Sequence, residues 1–242
     1  MFAFRSIFSS VKYAVLLVFK KNLLPYFIPS IILAVLFYTV VLAGGSIQSR
    51  LDFMQNYWGL KWIYSFFNES ISFISIVFFE FIILVALTPI NSILAEKTIE
   101  DLTGITYQFS WRVLIKSIRR AIVVLTIMFF FQFLFLAIIW IASLLLGKVF
   151  YEYASILNLS FFIGFSFFDF ALELDDIKAK NSWGFAKRNW LYCLVIGLIF
   201  SCSIYIPQKH EMLMIYLVGI SIVPHLLTII STHIYYSNKA NL

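Results

Sequence analysis

Charged residues are scarce in this chain, and that scarcity excludes most kinds of soluble protein. Only 12% of the 242 residues are charged, while 62% are hydrophobic. An ordinary soluble domain carries about twice that share of charge. A soluble fold of this length could not bury so much apolar surface, because the fraction that a chain can bury is limited by its size. We therefore expect an integral membrane protein without a large soluble domain.

Cysteine and histidine are also rare, with two and three residues respectively. Cys193 and Cys202 share one apolar segment, where helical geometry places them on opposite faces, so we expect no disulfide between them. The histidines lack metal-ligand spacing, and nucleotide-binding glycine loops, catalytic serine motifs and CxxC pairs are missing. We therefore expect no enzyme activity, no metal and no cofactor.

Six apolar segments are long enough to enter a membrane. They lie at about 23–44, 71–94, 121–147, 153–170, 190–206 and 212–236. About 20 helical residues cross a hydrocarbon core of about 30 Å. Some of the six segments are expected to penetrate this core only partly. A basic amphipathic lead, residues 1–21, precedes them; a signal peptide cleaved after the first segment is the alternative there. The predicted fold is one all-α domain, residues 1–242, a bundle of about six membrane-inserted helices.

Lysine and arginine are unevenly shared between the loops. If all six segments cross, 14 basic residues lie on one side and 4 on the other. This asymmetry predicts that both termini are cytoplasmic. A bacterial inner membrane is the expected location. Residues 105–120 are predicted to form a basic surface helix, and such residues are expected to contact anionic lipid. The net charge of +6 therefore does not indicate nucleic acid, since no basic nucleic-acid-binding motif is present.

A recognisable motif follows the second apolar segment. Residues 89–96 read Pro-Ile-Asn-Ser-Ile-Leu-Ala-Glu, and 102–104 read Leu-Thr-Gly. This pattern resembles the signature of the CysZ-type sulfate permeases, a superfamily that includes the eukaryotic etoposide-induced membrane proteins. Arg120, Asp169 and Arg188 resemble further positions of that superfamily in the same order. The resemblance covers roughly residues 20–235.

The resemblance implies an oligomeric, helical permease for a small oxyanion such as sulfate. The chain departs from the pattern where Lys20-Lys21-Asn22-Leu23 replace the Gly-Leu-Arg element associated with sulfate, and where Ala171-Leu172 replace a Pro-Phe pair. It is therefore expected to be a divergent member. The alternative function is a membrane scaffold or accessory subunit that binds other membrane proteins and transports nothing.

Glu80 is the most informative polar residue, because it lies in the middle of the second apolar segment. A carboxylate at that depth costs at least a few kcal/mol and usually faces protein or water. Glu69 and Asn91 lie eleven residues to either side, about 20° away around a helix. The three residues are predicted to share one face and to line a transport path. Protonated packing of Glu80 between helices is the alternative, and proton coupling would follow if Glu80 lines the path, since an ionised carboxylate repels sulfate.

Basic and turn-forming residues supply the other candidates. Lys20 and Lys21 could attract an anion at a helix N-terminus; the alternative is an ordinary basic flank. Pro89 frees a carbonyl that nearby polar groups can satisfy. Glu96 belongs to the motif, and Gly104 is placed to end the helix.

One ion pair is expected near the end of the fourth segment. Asp169 and Glu173 lie four residues apart on one helical face. A pair between Asp169 and Arg188 is predicted, with a structural role.

Overall fold

The computed structural model describes residues 2–36, 39, 85–107, 110–209 and 212–239, and this part of the chain is helical without any strand. The helices are α1 (Phe2–Lys20), a 3-10 turn (Leu24–Phe27), α2 (28–36), α3 (85–103), α4 (Trp111–Leu146), α5 (Lys148–Leu174), α6 (Ala179–Arg188), α7 (Trp190–Lys209), α8 (Leu213–Ser221) and α9 (Val223–Lys239). The predicted all-α class is confirmed, and the protein is a helical membrane protein.

Three stretches of the described residues are long and apolar enough to cross a membrane. They are α4, α5 and the 26-residue run Met214–Lys239 formed by α8 and α9. Two further spans are possible only if each joins two helices that meet at a sharp bend. These pairs are Arg5–Lys20 with Leu24–Leu36, bent by 105°, and Ala179–Arg188 with Trp190–Ile204, bent by 93°. The described residues thus provide three to five spans. Most of the predicted segment 71–94 lies outside them, so the expected total of six stays a prediction.

Several predicted boundaries are wrong. The basic residues 111–120 do not form a separate surface helix but the first turns of α4, because neither proline nor glycine occurs before Gly147. At 36 residues, α4 is about 54 Å long, which exceeds the hydrocarbon core. Helix α7 continues through Pro207 to Lys209.

The sixth segment and the charged connector also differ from the prediction. The sixth segment is divided between α8 and α9, and Pro224 lies in the first turn of α9, where a missing N–H costs little. The connector 173–188 contains α6, which is held by its Trp183. That ring stacks on Phe131 of α4 at 5.3 Å and on Phe162 of α5 at 5.8 Å.

The second half of α5 lies at the centre of the described bundle. Its residues from Phe162 to Leu172 are all buried, and it packs against α4, α7 and α9. A helix that is apolar around its whole circumference belongs inside a bundle. Helix α4 is the opposite case, since only 22% of its apolar window is buried, which suits contact with lipid.

Helices α5 and α7 cross at backbone contact. A Cβ atom built on Gly164 would lie 1.7 Å from the carbonyl oxygen of Cys193, and one on Gly197 would lie 1.6 Å from that of Ser160. Each helix thus contributes two small residues four positions apart. In membranes, such small-xxx-small pairs let helix backbones approach closely.

Candidate functional site

Three buried polar side chains meet between α2, α3 and α9. The Nδ1 atom of His225 lies 2.6 Å from Oδ1 of Asn91, and its Nε2 atom is hydrogen-bonded to the hydroxyl of Ser30. Asn91 and His225 are fully buried, and Ser30 is 1% exposed. Phe27 contacts the imidazole edge-on, with 5.0 Å between ring centres. We call Ser30, Asn91 and His225 the triad.

The hydrogen bonds define which atoms of the triad donate. An amide oxygen only accepts, so Nδ1 of a neutral His225 carries the proton, and Nε2 then accepts from the Ser30 hydroxyl. The Nδ2 group of Asn91 is buried and has no hydrogen-bond partner among the described residues. Within the described part of the chain, the triad therefore leaves one amide N–H without an acceptor.

The triad lies deep in the membrane-crossing part of the protein. His225 is near the middle of the span Met214–Lys239, 11 residues from one end and 14 from the other, which places it about 16 Å or more from either end. Polar side chains at such depth are costly and usually functional. Of the triad, the sequence prediction included Asn91 but not Ser30 or His225.

Proline is the sequence signal that could have indicated the triad. Pro29 and Pro224 directly precede Ser30 and His225, and Pro89 lies two residues before Asn91. Each proline lacks a backbone N–H, and Pro29 and Pro224 both lie in the first turn of their helices, where that loss costs little. Three helices therefore carry both a proline and a buried polar side chain where they meet.

A second polar cluster lies between α1, α3 and α9. Ser10 is hydrogen-bonded to Nδ1 of His233 at 2.8 Å, and the Tyr13 ring stacks on His233 with 4.2 Å between centres. Tyr13 also donates to the carboxylate of Asp101 at 3.0 Å. This cluster joins the end of α3 to α1.

Lys20 and Lys21 already face an anion of the chain itself. Their Nζ atoms lie 3.0 and 3.7 Å from Oδ1 of Asp101. Burial alone would raise the pKa of the Asp101 carboxyl, but the hydrogen bonds from Lys20 and Tyr13 together hold it below its usual range. Lys20 is the last residue of α1, and Lys21 follows it three residues before the 3-10 turn that begins at Leu24. The predicted anion site at Lys20 and Lys21 stays a prediction.

The predicted ion pair between Asp169 and Arg188 is wrong. The partner of Asp169 is Arg120, whose Nη2 atom lies 2.8 Å from Oδ1 and whose Nε atom donates to Oδ2 at 3.1 Å. Arg120 also donates to Ser182 and to the carbonyl of Ile177. Arg188 instead donates to the carbonyl of Gly184 within its own helix. The neighbouring helix α4, not the chain's later arginine, supplies the counter-charge.

Asp175 ties α5 to the C-terminal end of α9. It accepts hydrogen bonds from Tyr235 at 2.6 Å, Tyr236 at 2.7 Å and Lys239 at 2.5 Å. Burial acts to raise the pKa of this carboxyl, but the three donors outweigh burial and lower it.

The remaining predicted residues have simpler surroundings. Pro89 lies inside α3, and Glu96 is partly buried there, where burial raises the pKa of its carboxyl. Helix α3 ends at residue 103, and Gly104 follows with a φ of +75°, as the sequence predicts. Glu69 and Glu80 lie outside the described residues, so their place on the same face as Asn91 stays a prediction.

A small cavity lies between α3, α4 and α5. Its volume is about 20 Å³, and its lining residues are Thr88, Ala121, Val124, Leu125, Ser166, Asp169, Phe170 and Glu173. That volume suits a single water molecule. Within the described residues, no three side chains of the His, Cys, Asp or Glu types gather as metal ligands.

Comparison with known proteins gives no relative: no protein-family model, curated protein or solved structure matches this chain. The resemblance to the CysZ-type permeases therefore stays an expectation from the motif residues.

Proposed function

We propose that this chain is a membrane permease that passes a small oxyanion, such as sulfate, between the helices that carry the triad. One observation carries the proposal: the triad is a buried hydrogen-bonding site at the middle of a membrane span, and its Asn91 amide donor has no partner among the described residues. Substrate sites of membrane transporters commonly lie at this depth.

The chemistry of the triad favours an oxyanion over a cation. The amide N–H of Asn91 has no acceptor among the described residues, whereas the Ser30 hydroxyl and the imidazole N–H of His225 already donate within the triad. None of the three side chains carries a negative charge that would attract a cation. Oxyanion oxygens only accept hydrogen bonds, so they match an unpaired N–H. A buried donor without an acceptor costs about 1–3 kcal/mol, and a bound oxyanion would remove that cost.

The triad is closed to solution in this conformation, because each of its side chains is at most 1% exposed. Passage therefore requires that α2 and α3 move relative to α9. The 3-10 turn ahead of α2 and the break between α8 and α9 are places where such movement needs few hydrogen bonds to break.

Sulfate uptake into proteoliposomes tests the proposal. We expect uptake above that of empty vesicles for the wild type, and a decrease of roughly 10- to 150-fold for Asn91→Leu, since one hydrogen bond to an anion is worth about 1.5–3 kcal/mol. Thr228→Val is the matched control: Thr228 is buried on α9 as well, but among the described residues its hydroxyl donates only to the carbonyl of Pro224 in its own helix. Well-folded protein without uptake would reject sulfate as the substrate.

A membrane scaffold or accessory subunit is the second candidate, and the largely uncovered apolar length of α4 favours it. The same assay separates the two, because a scaffold gives no uptake with either variant.

Glu80→Gln extends the assay to the predicted intramembrane carboxylate: uptake that responds to a pH gradient in the wild type and loses that response in Glu80→Gln would indicate proton coupling.

A further inference from the structure

The direction of α2 follows from two contacts along the span Met214–Lys239. Ser30 is bonded to His225, and Ala34 shares a buried apolar cluster with Ile220. The residue number rises along α2 while it falls along the partner run. Helix α2 therefore lies antiparallel to this span. Its axis, like that of the span, runs across the membrane.

Helix α1 takes a different direction. The axes of Arg5–Lys20 and Leu24–Leu36 differ by 105°, so α1 lies within about 15° of perpendicular to α2. It meets α9 through Tyr13 and His233, six residues or about 9 Å before Lys239. The charged residues Lys20, Asp101 and Asp175 gather at this same end of the bundle.

The two faces of α1 differ in their surroundings. One face is buried against the bundle through Ile7, Ala14 and Leu17. The opposite face leaves Phe8 77% exposed and Phe19 69% exposed. The exposed face combines two basic side chains with several large apolar ones, and it includes Arg5, Phe8, Val11, Lys12, Val15, Leu16 and Phe19.

We propose that α1 lies in the plane of the membrane, at its interface, and binds anionic lipid with its exposed face. Phe8, Val15 and Phe19 enter the boundary between headgroups and acyl chains, about 5–10 Å deep. The long side chains of Arg5 and Lys12 lie among them and extend their charges to lipid phosphates. The mixture of cations and large apolar residues on one face matches a lipid interface, whereas an all-apolar face would match the hydrocarbon core.

Depth measurements with single nitroxide labels test the orientation. Labels are placed at Phe8→Cys, Phe19→Cys and the lipid-facing reference Phe130→Cys of α4, in reconstituted protein whose Cys193 and Cys202 are replaced by alanine. We expect the labels at 8 and 19 to lie at one shallow depth, with the reference deeper. A helix along the membrane normal would separate the two α1 labels by about 16 Å, and that result would overturn the proposal. Labels that neither oxygen nor a water-soluble relaxant reaches would show a protein partner on this face and would also overturn it.

The headgroup contact has its own measurement. In vesicles of mixed phosphatidylcholine and phosphatidylglycerol, we expect Arg5→Gln combined with Lys12→Gln to lower the preference for spin-labelled phosphatidylglycerol about two-fold. Lys148→Gln is the control, because Lys148 is exposed at the start of α5, outside the cluster of charges around α1. An unchanged preference in the α1 variant would overturn the contact with anionic lipid.

Discussion

The crossing of α5 and α7 makes the sharpest prediction about stability. Alanine at position 164 would put its Cβ atom 1.7 Å from the carbonyl oxygen of Cys193 and 2.7 Å from the amide nitrogen of Gly197. Both neighbours are backbone atoms, so neither can rotate away. The two helices would have to separate by more than 1 Å for ordinary van der Waals contact.

The expected magnitude is that of an overpacked core, about 1–3 kcal/mol. For a chain of this length, each kcal/mol shifts the melting temperature by about 2–4 °C, so Gly164→Ala should melt roughly 2–12 °C below wild type. Gly197→Ala should behave alike, because its Cβ would meet the Ser160 carbonyl oxygen at 1.6 Å. The double variant should lose less than the sum, since the first substitution already separates the helices.

Cys193 itself provides the assay. Its thiol is fully buried, while Cys202 is exposed. In a Cys202→Ser background, a thiol-reactive fluorophore therefore reports unfolding in detergent through Cys193. Gly184→Ala in α6 is the matched control, because a Cβ there would have no atom within 4 Å, and alanine is the better helix former by about 1 kcal/mol. A Gly164→Ala protein that melts with the wild type would refute the backbone contact between α5 and α7.

Two further predictions concern carboxylates at the ends of helices. Because the folded pKa of Asp175 is lowered, its stabilisation is complete above the unfolded value of about 3.9 and is lost as pH falls through the folded value. Asp175→Asn should therefore melt about 2–4 °C below wild type at pH 7, and the difference should shrink as the pH is lowered below the unfolded value; a pH-independent difference would contradict this. Arg120→Gln should destabilise the fold by about 3–5 kcal/mol, because it leaves the largely buried Asp169 unpaired. The double variant Arg120→Met with Asp169→Leu should recover much of that loss in the same melting assay, and Arg188→Gln should change the melting temperature little. If Arg188→Gln destabilised the protein more than Arg120→Gln, Arg188 would be the partner of Asp169.

Local sequence patterns predicted the helices well but their ends less well. The run Trp111–Leu146 joined a predicted surface helix to a predicted span, because basic residues do not interrupt a helix whereas proline and glycine do. The apolar segment 190–206 predicts a helix that ends before Pro207, but a proline near the last turn removes few hydrogen bonds, so α7 continues to Lys209. Gly104 follows α3 with a positive φ, as expected of a residue that can adopt the left-handed region without strain.

The sequence by itself determined that this protein is helical and belongs in a membrane, because apolar length and charge scarcity are local properties of the chain. Only the tertiary structure decided which polar groups meet. The triad joins residues that are 195 and 134 positions apart, and Asp169 binds Arg120 rather than Arg188. Such partners are chosen by which helices lie side by side, and that depends on close packing, as at Gly164 and Gly197. No local pattern of residues contains that information.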